Sequence, residues 1–370
     1  MDVLVRYSEL QKKKGKTRQQ LVQALRQKIQ DKLDFEDLDY GKVSERPGRI
    51  LIFNSSKKAA EKISLLPGVQ SCSPAVQVET DIEILEENLP RPESSFGVRV
   101  NTRDTDFSSQ KLEKRFGSVI KEDTGEEVDL ETPGTWVKVE ITKDYSHIFT
   151  ETFDGNGGLP AATQGNYLTL ISGGIDSPVA AYQMMKRGAD ITPIYFYNRP
   201  YAAEDHMVRF EKCIERLREF YPGKKWSYYI VDMGDVNEKL RQIGKGRMIL
   251  HRRIMFEVAD GICKEEGLNG LVTGESLSQK SSQTPRNLET TSGNLHVLRP
   301  LITWNKDEIT QFSRKLGLFE YSKIDSACRS LSPNSPSTNL TSRELESLKK
   351  EIGFDSLVQD LIDSVEKRTV

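Results

Sequence analysis

Ser172-Gly173-Gly174-Ile175-Asp176-Ser177 carries the densest chemical signal in the chain. Two adjacent glycines let the backbone turn tightly enough for successive N–H groups to point at one spot, and two serine hydroxyls add donors around it. Leu168–Ile171 before the hexapeptide reads as a short buried strand. Pro178–Lys186 after it reads as a helix, with Pro178 in its first turn and Gly188 past its end. A glycine turn that feeds a helix N-terminus is an anion site sized for phosphate or pyrophosphate. Asp176 sets a carboxylate beside that phosphate, a placement suited to holding Mg²⁺ or orienting a reacting group. A lone double glycine would only join strand to helix; the serines and the aspartate ask for more. The other common phosphate loop, G-x-x-x-x-G-K-[ST], is not formed, because Gly244-Lys245 runs into Gly246.

A second candidate is sulfur. The four cysteines, Cys72, Cys213, Cys263 and Cys328, are widely spaced, and no C-x-x-C or Cys/His cluster suggests zinc or an iron–sulfur centre. The metal expectation is therefore none. Most of these thiols read as core residues. Cys328 instead lies within 319–340, a loop rich in Ser, Pro and Asn, next to Arg329. A neighbouring cation lowers a thiol's pKa, which is the setting of a reactive cysteine, although spacing alone leaves a loop cysteine more often inert.

These groups need elements to hold them. Strand–helix units recur after the glycine loop: strands at Ile191–Tyr197, Trp226–Val231 and Gly270–Thr273, helices at Ala202–Phe220 and Arg247–Glu266. That alternation predicts a doubly wound parallel sheet, with ligands outside the C-terminal strand ends, where the glycine loop, Tyr195-Phe196 and Gly274 fall. Asn305–Glu308 reads as a capping box for a helix through Leu316, and Thr341–Glu344 as another start. Upstream, Asp154–Gly165 is rich in Gly and Pro and breaks every periodicity, marking a domain boundary. Before it, strands at Asp2–Arg6, Gly48–Asn54 and Val69–Ser73 alternate with helices at Lys16–Lys32 and Lys57–Leu65, a ferredoxin-like α+β pattern. Glu79–Tyr145 forms a second unit, with strands at Phe96–Asn101 and Trp136–Ile141 around a helix at Ser108–Ile120.

The net charge of −2 hides an uneven distribution. Lys12, Lys13, Lys14, Lys16, Arg18, Arg26 and Lys28 fall between Gln11 and Gln30 without an acidic residue among them. Most charge runs are solvated helix faces, but seven uncompensated cations suit a polyanion such as RNA. Arg99, Arg103, Lys111, Lys114, Arg115 and Lys138 give the second unit its own basic set. It lacks an aromatic pair that could stack unpaired bases, so recognition by shape and phosphate is expected. At 370 residues the chain has room for two or three domains. It holds no run of about 18 apolar residues, so no membrane span is expected. Its N-terminus lacks a signal-peptide pattern, which makes the cytoplasmic compartment the default.

The hexapeptide matches the PP-loop of ATP pyrophosphatases, which cleave ATP between its α- and β-phosphates. The chain as a whole resembles the tRNA 4-thiouridine synthetases, tRNA sulfurtransferases also linked to thiamine thiazole synthesis. The resemblance is carried in order by Arg6–Glu9, Lys14–Arg18, Gly155–Pro160, Ser172–Ser177, Arg252-Arg253, Thr273–Leu277, Ser282–Thr284, Leu298–Ile302, Lys306 and the Cys328 loop. It implies a ferredoxin-like domain over 1–75, a THUMP RNA-binding domain over 76–160, and a PP-loop domain of adenine nucleotide α-hydrolase type over 161–370. It implies ATP and Mg²⁺ as cofactors, and ATP contacts at Leu170, Ile171, Ser172, Gly173, Gly174, Asp176, Ser177, Tyr195, Phe196, Arg252, Gly274 and Gln283. Asp176, Lys306 and Cys328 would be catalytic.

The implied reaction adenylates the C4 oxygen of uridine 8 in tRNA, and a persulfide on Cys328 then delivers sulfur, with AMP leaving. A cysteine desulfurase would supply the persulfide, and a homodimer would present tRNA from one subunit to the other. Many relatives add a C-terminal rhodanese-like domain; in this chain of 370 residues 42 follow Cys328, too few for one. Sulfur would then reach Cys328 directly, through a separate protein, or with Cys72, Cys213 or Cys263 as resolving thiol. Two other readings compete. One is a PP-loop amidotransferase or synthetase using ammonia, which has no need of the basic N-terminal half. The other is an RNA-binding protein with a vestigial PP-loop, which the intact hexapeptide and Arg252 oppose.

Overall fold

The computed structural model describes residues 1–202, 205–323 and 337–370, and the chain divides into two compact units, residues 1–159 and 160–370.

In the first unit, apolar residues of both periodicities find their partners. The elements are β1 (Asp2–Arg6), α1 (Gly15–Phe35), β2 (Val43–Arg46), β3 (Arg49–Ile52), α2 (Lys57–Ser64), β4 (Ser71–Val78), α3 (Ile82–Glu87), β5 (Phe96–Thr102), α4 (Ser109–Thr124), β6 (Thr135–Ile141), β7 (Ser146–Phe149) and β8 (Phe153–Asp154). Leu21, Val22, Leu25, Ile29 and Leu33 line one face of α1 and pack on Val3, Val5, Ile50 and Ile52. Leu112, Phe116 and Ile120 of α4 do the same over Val98, Val100, Val137 and Val139. The strands form one eight-stranded sheet in the order β2-β3-β1-β4-β7-β6-β5, with β8 on β4. β4 runs five residues further than Val69–Ser73 would have reached as an isolated strand: Ser71–Ala75 pair with β1 and Val76–Val78 with β7, so a single strand serves both halves. Lys12, Lys13, Lys14, Lys16 and Arg26 are exposed, as are Arg99, Lys111, Lys114 and Arg115. Both basic sets therefore stand on the surface, with Arg99 stacked 4.6 Å over the Trp136 ring.

One carboxylate ties the two halves of this sheet together. Glu140 of β6 accepts from Arg6 Nε of β1 at 2.8 Å and from Arg49 Nε of β3 at 2.5 Å. Arg6 also donates to Ser73 Oγ of β4 at 3.0 Å. Burial alone would push the Glu140 carboxyl up, but the two guanidiniums outweigh it and hold it below the ordinary carboxylate range. Opposite Glu140 across the ladder sits His147, buried and pushed by that burial down to about 4. On acidification the unfolded chain takes up protons at both positions before the folded one does. Stability therefore declines as pH falls below about 6.5, through His147, and further below about 4.5, through Glu140. Removing the carboxylate with Glu140→Ala strands two arginines and is expected to destabilise by about 3–5 kcal/mol. Urea unfolding of the whole chain at neutral pH measures this, and a wild-type midpoint in the variant would remove Glu140 from that role.

The second unit contains β9 (Asn166–Leu170), α5 (Asp176–Lys186), β10 (Asp190–Tyr197), α6 (Asp205–Glu219), β11 (Ser227–Asp232), α7 (Gly234–Leu240), α8 (Arg247–Glu265), β12 (Leu271–Val272), α9 (Pro285–Ser292), β13 (Val297–Leu298), α10 (Lys306–Lys315), α11 (Ser342–Ile352), α12 (Phe354–Asp363) and β14 (Glu366–Thr369). Its sheet runs β13-β12-β9-β10-β11-β14, and every pairing is parallel except β11 with β14. The doubly wound parallel sheet is present, closed at one edge by an antiparallel strand. β14 is fully exposed and polar, so it has no alternation to read; Lys367 ties it to Glu266 at 2.7 Å. Both expected capping boxes form, Asn305 with Glu308 and Thr341 with Glu344. From β9 the chain winds outward to β10 and β11, then returns to the other side of β9 for β12 and β13. The crevice between β9 and β12 is the point where the winding reverses, the place where such sheets bind ligands.

Candidate functional site

At the end of β9 the backbone leaves the sheet through Ser172 and turns at Gly173, whose φ of +64° is the left-handed conformation that glycine adopts without strain. Gly173 also lies against α6: a Cβ there would stand 2.9 Å from the Cβ of Arg209. Ser177, buried in the first turn of α5, closes the loop by accepting from Ser172 N–H at 2.9 Å, and the two hydroxyls lie 3.1 Å apart. The Ser177 hydroxyl thus holds the loop's shape, while Ser172 is exposed beside it.

The opposite wall is built by β12. Gly274 follows that strand and approaches the first turn of α5 so closely that an added Cβ would lie 2.7 Å from Ser177 N and 2.8 Å from Asp176 C. Main chain meets main chain there, which only glycine permits. Asp176 accepts from Lys306 Nζ at 2.7 Å, and Lys306 is held at the first position of α10 by the Asn305 cap. Next to Gly274, Glu275 is 2 % exposed and gathers three donors. Arg299 Nε donates to its Oε2 at 2.8 Å, Thr273 Oγ1 donates to the same oxygen at 2.8 Å, and Arg252 donates to Oε1. One carboxylate between two guanidiniums leaves the cluster with a net positive charge beside the loop, and Arg252 Nε is shielded without a hydrogen-bond partner among the described residues.

The structure brings together most of the residues singled out from sequence. Leu170 and Ile171 end β9, Ser172–Ser177 form the turn, and Gly274, Lys306 and, through Glu275, Arg252 surround it. Gln283 is 5 % exposed in a turn before α9, its Oε1 without a partner among the described residues. Tyr195 and Phe196 end β10 as expected, but both rings are buried: Tyr195 stacks on Phe210 with centroids 4.7 Å apart, and Phe196 belongs to the sheet's core. What they offer a ligand is strand-end main chain. Cys328 lies outside the described residues. Cys72, Cys213 and Cys263 are buried free thiols, and burial pushes all three up, Cys213 to about 12 and Cys263 to about 11.

Glu275 and Arg299 carry no role in a reading of the sequence alone, although a carboxylate directly after the required Gly274, in a chain with Arg252 to neutralise, was a usable signal. A second missed group joins His251 and Asn237, both buried, to the half-buried Asn198. His251 Nε2 lies 2.8 Å from Asn198 Oδ1, and Asn237 Nδ2 donates to the Arg199 carbonyl at 2.9 Å. Burial, with Arg252 beside it, pushes His251 down to about 4 and keeps it neutral. This network pins the segment after β10 to α7 and α8, and so sets where α8 carries Arg252.

A glycine cradle at the reversal point of the sheet, flanked by a carboxylate–lysine pair and an excess of guanidinium, is the working end of a PP-loop nucleotide domain. Comparison with known proteins agrees over the whole chain. The family profile described as Thiamine biosynthesis protein (ThiI) matches residues 162–354, that of the ThiI ferredoxin-like domain residues 2–73, and that of the THUMP domain residues 80–151. A probable tRNA sulfurtransferase of Methanosarcina acetivorans is 32% identical over 98% of this chain and 92% of its own length. One from Thermococcus kodakarensis is 33% identical over 87% and 89%. The crystal structure of a 4-thiouridine synthetase–RNA complex with bound ATP superposes with a TM-score of 0.86 at 28% identity, covering 100% of this chain and 99% of that one. The chain belongs to the ThiI family of tRNA sulfurtransferases.

The close approach at Gly274 yields a direct expectation. Gly274→Ala forces the main chain of Asp176 and Ser177 aside by several tenths of an ångström, and such misplacement of a phosphate cradle is expected to cost about a hundredfold in ATP turnover. Circular dichroism should be that of the wild type. Unchanged turnover would show that the cradle does not depend on this contact.

Proposed function

We propose that this chain is the enzyme that converts uridine 8 of tRNA to 4-thiouridine at the expense of ATP. The observation that carries the reading is the Gly274–Ser177 cradle, placed in a chain that matches an ATP-bound, RNA-bound 4-thiouridine synthetase from end to end.

In this reading the triphosphate lies on the loop formed by Ser172–Ser177, with Arg252 and Arg299 supplying positive charge and Leu170, Ile171 and the main chain of Tyr195 and Phe196 bordering the adenine. The fit is supported by polar atoms with no partner among the described residues, Arg252 Nε and Gln283 Oε1, on residues this reading assigns to the nucleotide. Mg²⁺ on the phosphates would find its protein carboxylate in Asp176 and would withdraw charge from the phosphorus under attack. The C4 oxygen of the uracil bonds to the α-phosphorus, the α–β bridge breaks, and pyrophosphate departs with the bonding pair. Lys306 and the arginines stabilise charge as it develops on the phosphate oxygens. C4 then carries AMP as its leaving group, and the terminal sulfur of a Cys328 persulfide displaces it. Release of the thiolated base requires a second thiol to take Cys328 into a disulfide. Because Cys72, Cys213 and Cys263 are buried and hard to ionise, a thiol from outside these three suits that task best.

The exposed lysines of α1 and α4 supply phosphate contacts to tRNA. A cysteine desulfurase supplies the persulfide, a homodimer joins the tRNA grip of one copy to the site of the other, and the compartment is the cytoplasm. A contribution to thiamine thiazole synthesis rests on the family alone.

The test combines protein, ATP, Mg²⁺, unmodified tRNA, and a cysteine desulfurase with cysteine, and follows the 4-thiouridine absorbance. Wild type should form the product, Asp176→Ala neither product nor AMP, and Cys328→Ser AMP without thiouridine. Thiolation by Cys328→Ser would move the sulfur to another cysteine. Absence of both AMP and thiouridine from wild type would end the assignment.

A further inference from the structure

Beside the Asp176–Lys306 pair lies a cleft lined, apart from Lys306 itself, by none of the residues assigned to the nucleotide. Its volume is about 450 Å³, and it is lined by Ser276–Gln279 after β12 and Ile302–Lys306 after β13. Its walls are mostly apolar, from Leu277, Ile302 and Trp304, and Lys306 stands at its edge. The two walls are tied to each other: Leu277 N donates to the Ile302 carbonyl at 3.1 Å, and Ser276 Oγ to the Trp304 carbonyl at 2.6 Å. Trp304 is braced edge-on against Phe312 of α10, centroids 5.5 Å apart. Leu277 nonetheless leaves 47 % of its surface exposed.

Strand order fixes what each side of the loop can hold. β10 lies on one side of β9, and β12 and β13 on the other. Leu170, Ile171, Tyr195 and Phe196, at the ends of β9 and β10, border the adenine side. A group that must meet the α-phosphate from the other side enters over β12 and β13, across Lys306, and that is this cleft.

Its chemistry selects a flat, uncharged ring with a polar edge. Apolar walls cover the faces of such a ring, and Lys306 Nζ offers a donor to a carbonyl oxygen beside the phosphates. Gln279, at the border of the cleft, adds an acceptor, its Oε1 shielded and without a partner among the described residues. A uracil presents one ring N–H between two carbonyls, the complement of that edge. The volume falls within the range of ligand-binding clefts, about 300–1,000 Å³.

We propose that the Leu277–Trp304 cleft seats the acceptor uracil, unstacked from the tRNA, with its C4 carbonyl toward Lys306. This rests on the sulfurtransferase reading above and adds where the base is held. The residue that selects the seat is Leu277, exposed and outside the fold's core.

Two measurements on the full-length protein test it. In the first, tRNA-dependent pyrophosphate release is compared for wild type, Leu277→Asp and Leu277→Met. The aspartate sets a charge where the base face rests and is expected to lower release by about a hundredfold, whereas methionine should preserve it. ATP affinity by equilibrium dialysis and tRNA affinity by filter binding should stay near wild type, since phosphate contacts dominate the latter. In the second, tRNA bearing 4-thiouridine at position 8 is bound and irradiated in the near ultraviolet, and the crosslinked peptide should lie within residues 276–306. Wild-type release by Leu277→Asp, or a crosslink elsewhere, overturns the cleft while leaving the sulfurtransferase reading intact. Failure of wild type itself to release pyrophosphate with tRNA overturns the reading and the cleft together.

Discussion

The catalytic unit depends on a contact between two stretches of backbone. Gly274, leaving β12, presses on Asp176 and Ser177 as they begin α5, at a separation where no side chain fits. That contact closes the crevice between β9 and β12 and turns a strand-to-helix connection into a cradle of fixed width. Every other feature of the site is referred to it. Ser177 can spend its hydroxyl on the loop because the loop has a rigid backing, and Asp176 meets Lys306 because α5 and α10 are fixed on either side. The next residue, Glu275, uses the same anchor to hold Arg252 and Arg299 in place.

Charge is managed differently in the two units. In the first, Glu140 sits between Arg6 and Arg49 inside the sheet, one negative charge against two, and the exposed lysines and arginines of α1, β5 and α4 stand outside that cluster. In the second, Glu275 only half-neutralises its two arginines, and the excess lies beside the cradle. A buried carboxylate serves in one place to join strands and in the other to aim guanidiniums. The charge count is the same in both; the difference is the surroundings, a strand ladder in one and the glycine loop in the other.

Much of this was legible in the sequence because it is local. The hexapeptide states its turn by two glycines, and the helices of α10 and α11 state their starts by capping boxes that close as written. Most of the first basic run is exposed, as a stretch without acidic residues suggests, while Lys28 at its end pairs with Asp31 at 3.3 Å. What was not legible depends on residues distant in sequence. β12 falls within the strand expected at Gly270–Thr273; β13, two residues long, is too short to show a period, yet it frames the cleft at Leu277. Glu275 gains its meaning only when Arg252 and Arg299 converge on it. Tyr195 and Phe196 sit where their strand predicts, but an aromatic pair at a strand end does not announce whether its rings face a ligand or the core. Here Phe210 and the apolar face of the sheet claim them. α12 and β14 were missed for different reasons: Phe354, Leu357 and Leu361 did carry helical spacing, whereas the exposed charged strand carried none.

The central claim is that the cradle serves to turn a uracil oxygen into a leaving group. The direct measurement uses tRNA whose uridine 8 carries heavy oxygen at C4, a single turnover with ATP and persulfide donor, and mass spectrometry of the nucleotide released. The account predicts that the heavy oxygen leaves in AMP, one atom for each thiouridine formed. Heavy oxygen recovered in water or pyrophosphate, with AMP unlabelled, would contradict it.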